Sequence, residues 1–285
     1  MTPRPLRDDE SRIVNQQIRK STWDEGVIAT FMKEATGTVW ELPGGHTLLF
    51  FAEEAKKAQG ATVARQTAAL LAWLGTPRPF QVLLWWREDP RQVSADTWPT
   101  RREVNGGWTV SGSSLICVYR AEEWDRVVLH EMIHALEWDW PMPERPLACW
   151  GLGSQARLVP ALFEAWTELL AEWLWCGWHA STEDTEGQTW LHQRQWQDAQ
   201  ARQILARYMR TGASWEENTS VFAYYVLKAA LAPHIAFLWV RGKSGSVAER
   251  SDLVCRWSTP ALATLRREAA VTEPQDMSLR MTCPY

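Results

Sequence analysis

An excess of positive charge is the first thing this chain lacks. Its 285 residues carry 30 Lys and Arg against 34 Asp and Glu, for a net charge of -4. Nucleic-acid binding needs a basic field, so nucleic acid is not an expected partner. Long apolar runs are also missing. The most extended, "YYVLKAALAPHIAFLWV", is broken by Lys228, Pro233 and His234, so no membrane span is expected. The start, "MTPRPLRDDE", has charges where a signal peptide would need an apolar run. Cysteine is sparse. Cys117, Cys149, Cys176, Cys255 and Cys283 are odd in number, and no pair has the close spacing of a zinc knuckle or redox motif. With no leader pattern, the expectation is reduced thiols and a cytoplasmic location.

What is present is a globular composition, 46% hydrophobic and 22% charged, with enough length for a substantial core. Tryptophan is abundant at 20 residues. Many lie at helical spacing, as in "EAWTELLAEWLWCGW", which suits core or rim packing rather than a ligand cage.

Residues 1–40 read as a polar, irregular segment closed by the turn "LPGGH", which leaves His46 as a loop histidine. A helix is expected over about 47–74, with Gly75 and Pro77 as its stop. "FQVLLWW" reads as a strand, and "VNGGWTVSGSSLICVYR" as a hairpin turning at Asn105–Gly107, with its second strand at 114–120. A helix follows over about 121–139, stopped by "WPMPERP". Further helices are expected over 160–178, 189–209 and 219–240, the last kinked near Pro233, with loops at "HASTEDTEGQ" and "RGKSGS". The last thirty residues carry little signal. The fold class is therefore α+β, a small β-sheet with N-terminal helices followed by a mostly helical half. The expected division is an N-terminal segment 1–40 and a single domain 41–285 made of an α/β lobe (41–140) and a helical lobe (141–285).

Chemistry concentrates in "VVLHEMIHALEWDW", residues 127–140. His130 and His134 are four apart, so a helix places both imidazoles on one face, one turn apart. Zinc accepts histidine nitrogen and, in catalytic sites, keeps one position open for water. Glu131 is rotated about 100° around the axis, where it can take that water's proton and pass it to a leaving group. Val128, Leu129, Met132, Ile133 and Leu136 fill most of the remaining circumference, so the helix is expected to be buried. Two histidines there need partners. A shared metal satisfies both, and the alternative is a pair of core histidines hydrogen-bonded to neighbours.

"HEMIH" resembles the H-E-x-x-H signature of zincin metallopeptidases. The metzincin class would need glycine at 137 and histidine at 140, where this chain has Glu137 and Trp140. The "HAL" after Ile133 is similar to the leishmanolysin type, which would make His179 or His192 the third ligand. "EAWTE" resembles the gluzincin helix more closely, and that resemblance implies Glu164 as third ligand. Glu168 would then sit behind the site, orienting a ligating histidine, or be the alternative ligand; Asp139 is a further option. The plain reading of Glu164, Glu168 and Glu172 is the solvated face of an amphipathic helix.

Zincins also bring a tyrosine or histidine from the C-terminal half to the oxyanion. The resemblance makes Tyr225 that residue, with Tyr224 and His234 as alternatives; core packing accounts for any of them equally well. The segments "VNGGWTVSG", "VYRAEEWDRVVLHEMIHAL" and "ENTSVFAYYVLKAAL" look like uncharacterised H-E-x-x-H proteins of large double-stranded DNA viruses. That likeness allows a viral, virion-associated protein. These resemblances together imply a zincin-like fold, one Zn2+ per chain and a peptide or protein substrate. The strand at 114–120 would be the edge that receives an extended peptide. The alternatives are a catalytically silent binding or structural virion protein, or a zinc hydrolase acting on a non-peptide bond.

Overall fold

The computed structural model describes residues 1–21, 26–139, 149, 161–183, 188–211, 217–242 and 246–283. In chain order it begins β1 (Pro3–Arg4), α1 (Asp8–Lys20), α2 (Val27–Phe31), β2 (Thr36–Glu41), β3 (Thr47–Ala52), α3 (Gln59–Trp73) and β4 (Gln81–Trp85). Next come β5 (Gln92–Val93), α4 (Arg101–Val104), β6 (Gly107–Thr109), β7 (Leu115–Val118) and α5 (Trp124–Ala135). The helical half holds α6 (Leu162–Glu183), α7 (Gln188–Thr211), a π-helical turn (Phe222–Leu227), α8 (Lys228–Leu231), α9 (Ile235–Gly242) and α10 (Val247–Ala269), with β8 (Met277–Ser278) near the end. At 58% helix and 13% strand the class is α+β, as expected. The chain divides into two compact units: residues 1–90 with 105–137, and residues 91–104 with 138–285.

The first unit is built on a six-stranded mixed sheet of order β1-β2-β3-β4-β7-β6. β3, β4 and β7 run parallel in its middle, while β2 and β6 flank them antiparallel. Strands covered on both faces are apolar along their whole length, as "LLFFA" and "VLLW" are here, every residue buried. Trp85 stacks between Phe51 and Trp108, with both ring centroids at 5.7 Å.

Several expectations are corrected here. The described residues among 1–40 are not irregular: Arg4, in β1, and Glu10, in α1, form an ion pair, and β2 pairs with β3 along its whole length. The helix expected over 47–74 is a strand followed by a helix, because a short apolar run has no periodicity to distinguish the two. The hairpin turns at 110–114, with Gly112 at φ 72°, rather than at Asn105–Gly107. Gly107 serves a close approach instead: a Cβ there would lie 2.6 Å from the Cys117 carbonyl oxygen. β7 is an interior strand, and the edge beside it is β6. His46 lies in the connection before β3, as expected of a loop histidine, and is buried there, its Nδ1 accepting from the Phe80 N–H at 2.9 Å.

In the second unit α6, α7, the 222–231 segment and α10 pack around Trp166, Leu169, Leu205, Phe222, Tyr225 and Val254, all at most 1% exposed. Trp138, Trp166 and Trp173 surround Trp239 at ring-centroid distances of 6.3–6.5 Å. Core packing thus accounts for part of the tryptophan content. The run Phe222–Val240 is long and apolar enough to cross a membrane, but 61% of its most apolar window is buried in the protein. α6 continues through "HASTE", where a loop was expected; 184–187 of that stretch lie outside the described residues, as do most of "WPMPERP" and 243–245 of "RGKSGS".

The C-terminal residues, where the sequence carries little signal, belong to α10 and then to an extended strap. Gln193, Trp196, Gln200, Gln203 and Arg207 of α7 all donate side-chain hydrogen bonds to its backbone carbonyls. Met277, Leu279 and Met281 alternate into the core. Reduced thiols were expected throughout, yet Cys149 and Cys255 form a disulfide across 106 positions. Spacing along the chain cannot reveal such a pairing.

Candidate metal centre

Helix α5 belongs to the first unit and is buried as its sequence expects, with Val128, Leu129 and Ile133 at 0% exposure. It is shorter than expected. Glu123 (φ 59°) precedes its start, and Glu137 (φ 55°) turns the chain away after Leu136, before the proline-rich stretch. The Arg78 guanidinium caps its C-terminal end, donating to the Ala135 carbonyl at 2.7 Å.

On this helix the His130 and His134 rings meet edge to face, centroids 4.9 Å apart, with the two Nε2 atoms 3.2 Å apart. Two nitrogens each about 2.0–2.1 Å from a tetrahedral zinc lie about 3.3 Å from each other. The separation of the pair therefore matches that of two nitrogens on one such ion. The same separation suits an N–H···N hydrogen bond between opposite tautomers, which is the alternative reading of the pair.

Glu131 is 5% exposed and lies against the backbone of β6, its Oε1 3.1 Å from where a Gly107 Cβ would stand. The bare glycine leaves room for this carboxylate. Burial, and secondly the Glu131 charge, push the buried Cys117 thiol well above its ordinary pKa, and Cys117 packs in the core of the first unit.

Helix α6, with the candidate glutamates, belongs to the second unit. Glu164, in its first turn, is half-buried and accepts a hydrogen bond from the Tyr224 hydroxyl at 3.2 Å. The expected solvated stripe is not solvated. Glu168 and Glu172 are 1% and 0% exposed, and the fully buried Lys228 ammonium binds Glu172 with Glu168 at 3.9 Å. Gln197 donates to the other Glu172 oxygen. Sequence reasoning missed Lys228. Its signal was a lone lysine inside "YYVLKAALA", four residues after Tyr224, opposite a stripe of glutamates.

The remaining candidates are held elsewhere. Tyr225 is fully buried with its hydroxyl on the Leu279 carbonyl at 2.8 Å, so its hydroxyl serves the strap; Tyr224 is the tyrosine on Glu164. His234 packs on Trp257 at 4.2 Å between centroids, and burial lowers its pKa, with Arg194 adding to the effect. His179 packs on Trp175 at 4.1 Å, His192 is exposed, and Asp139 is half-buried. Comparison of the chain with protein-family models, curated proteins and solved structures yields no match.

Proposed function

We propose that this protein is a zincin-like, zinc-dependent metallopeptidase holding one Zn2+ per chain through His130, His134 and Glu164, with Glu131 as general base. The observation that carries the reading is the 3.2 Å between the His130 and His134 Nε2 atoms on a buried helix, with Glu131 next in sequence. The donor chemistry also supports it. His130 and His134 offer two imidazole nitrogens on one helical face, and the gluzincin resemblance implies Glu164 as the carboxylate. Two imidazoles and a carboxylate are the ligand set of many catalytic zinc sites. When bound, the ion would supply a polarised, readily deprotonated water.

Glu131 would receive that water's proton and deliver it to the leaving amine. Its seat beside Gly107 puts the base next to β6, the end strand of the sheet among the described residues. An extended peptide could pair with that edge and present its carbonyl there.

Native mass spectrometry, metal analysis and a peptide-library cleavage assay test the reading together. About one zinc per chain is expected, with cleavage that Glu131→Gln abolishes while the metal stays bound. Folded, metal-free protein indifferent to chelators would overturn the reading. Zinc without cleavage would leave a silent metal-binding protein or a hydrolase of a different bond.

A further inference from the structure

We propose that His46 is an acid-sensitive latch: neutral, it fastens the approach to β4 onto the end of α3, and protonated, it releases Arg78 from the end of α5. The device lies wholly within the first unit and is independent of the function proposed above.

The imidazole is 7% exposed, and both of its nitrogens are engaged. Nδ1 accepts from the Phe80 N–H at 2.9 Å, so the proton of the neutral ring sits on Nε2. Nε2 lies 3.2 Å from the Thr76 hydroxyl, which accepts that proton and donates its own to the Leu71 carbonyl of α3. The Phe80 carbonyl accepts from the Thr47 N–H at 2.9 Å. One tautomer of one ring therefore ties the exit of α3, the start of β3 and the approach to β4. The turn before it keeps the ring in place. Gly44, at φ 77°, passes so close that a Cβ there would stand 3.0 Å from His46 Cδ2 and Nε2.

A second proton has to go to Nδ1, where it points at the Phe80 N–H. Two donors then face each other in a buried place, and neither has an acceptor. Arg78, on the connection before β4, lies over the Phe80 ring on which His46 also stacks, so an imidazolium meets a like charge. Glu41, at the end of β2, is held by Arg4. The Pro43–Gly45 turn, β3, β4 and the last turn of α3 bring no charged residue. Burial accordingly lowers the His46 pKa.

The segment that Phe80 anchors also carries Arg78, whose guanidinium donates to the carbonyls of Gly112, Ser113 and Ala135. Loss of the Phe80 bond frees that segment, and the C-terminal turn of α5 loses its cap with it. A base with a lowered folded pKa contributes stability that is complete above its unfolded value, about 6.5, and is lost as pH falls below it.

The test is urea denaturation of the full-length protein between about pH 7.5 and about pH 5.5, wild type beside His46→Asn. The asparagine oxygen accepts from the Phe80 N–H and does not titrate. Over that range the wild-type unfolding constant should rise up to about tenfold more than the variant's. Parallel pH profiles would overturn the latch. Hydrogen exchange at the acid end should be faster in wild type than in the variant at residues 76–81 and 132–137; equal rates in those two segments would overturn the release of Arg78. Should the variant fail to fold, the wild-type ring is titrated by NMR. A His46 midpoint below about 6.5 supports the latch, and one at or above that value overturns it.

Discussion

Lys228 makes the sharpest stability prediction. Its side chain is fully buried, its ammonium is bound to Glu172, and Glu168 lies 3.9 Å away. Lys228→Met keeps the length of the side chain and removes the charge, so two carboxylates remain buried in the second unit without their cation. Breaking a buried ion pair from one side costs about 3–5 kcal/mol, because the surviving charge keeps its desolvation penalty. The double variant Lys228→Met/Glu172→Gln removes one charge from each side. Its glutamine still offers an oxygen to the Gln197 amide, which donates to Glu172 in the native protein. Replacing both partners of a buried pair is often near neutral, so the double variant should recover most of the loss. Urea denaturation followed by circular dichroism reads both values. A single variant costing less than about 1 kcal/mol, or a double variant no better than the single, would refute the assignment of Lys228 as the compensating cation.

Three further outcomes follow from the geometry. Gly107→Ala places a methyl 2.6 Å from the Cys117 carbonyl oxygen and 2.8 Å from Val127 Cγ1; backbone cannot yield as a flexible side chain can, so a loss of about 1–3 kcal/mol is expected in chemical denaturation. Wild-type stability in that variant would mean that β6 and β7 are not so closely apposed. The Glu10 carboxyl, hydrogen-bonded by Arg4, is drawn from its ordinary 4.5 down to about 2. A lowered folded pKa contributes stability above pH 4.5 that is lost as pH falls toward 2, up to about 3 kcal/mol, and Glu10→Gln should abolish that part of the acid dependence. Reducing Cys149–Cys255 releases a cross-link spanning 106 positions, so the melting temperature should fall in reductant by an amount equivalent to about 2–4 kcal/mol; identical melts with and without reductant would contradict the pairing.

The sequence alone determined the parts whose physics is local. An apolar run bounded by turn residues reads as the strand β4, and periods near 3.6 locate α5, α6 and α7 to within a few residues. The i, i+4 spacing of His130 and His134 already puts both rings on one helical face, because helix geometry leaves no other choice. Tertiary structure decided whatever depends on which face meets what. "TLLFFA" is a strand because β2 and β4 pair with its two edges while both of its faces are buried, a fact no window of six residues contains. The glutamates of α6 look solvent-facing in projection, yet Lys228 and Gln197, 56 and 25 positions away, turn that stripe into a buried polar seam. Tyr224 and Tyr225 are equivalent as sequence, and the fold separates them by giving one hydroxyl to Glu164 and the other to Leu279. Cys149 and Cys255 become partners because the fold brings Cα atoms 106 positions apart to 5.8 Å. Periodicity is written in neighbouring residues; burial, charge compensation and pairing depend on residues far along the chain, and only folding brings those together.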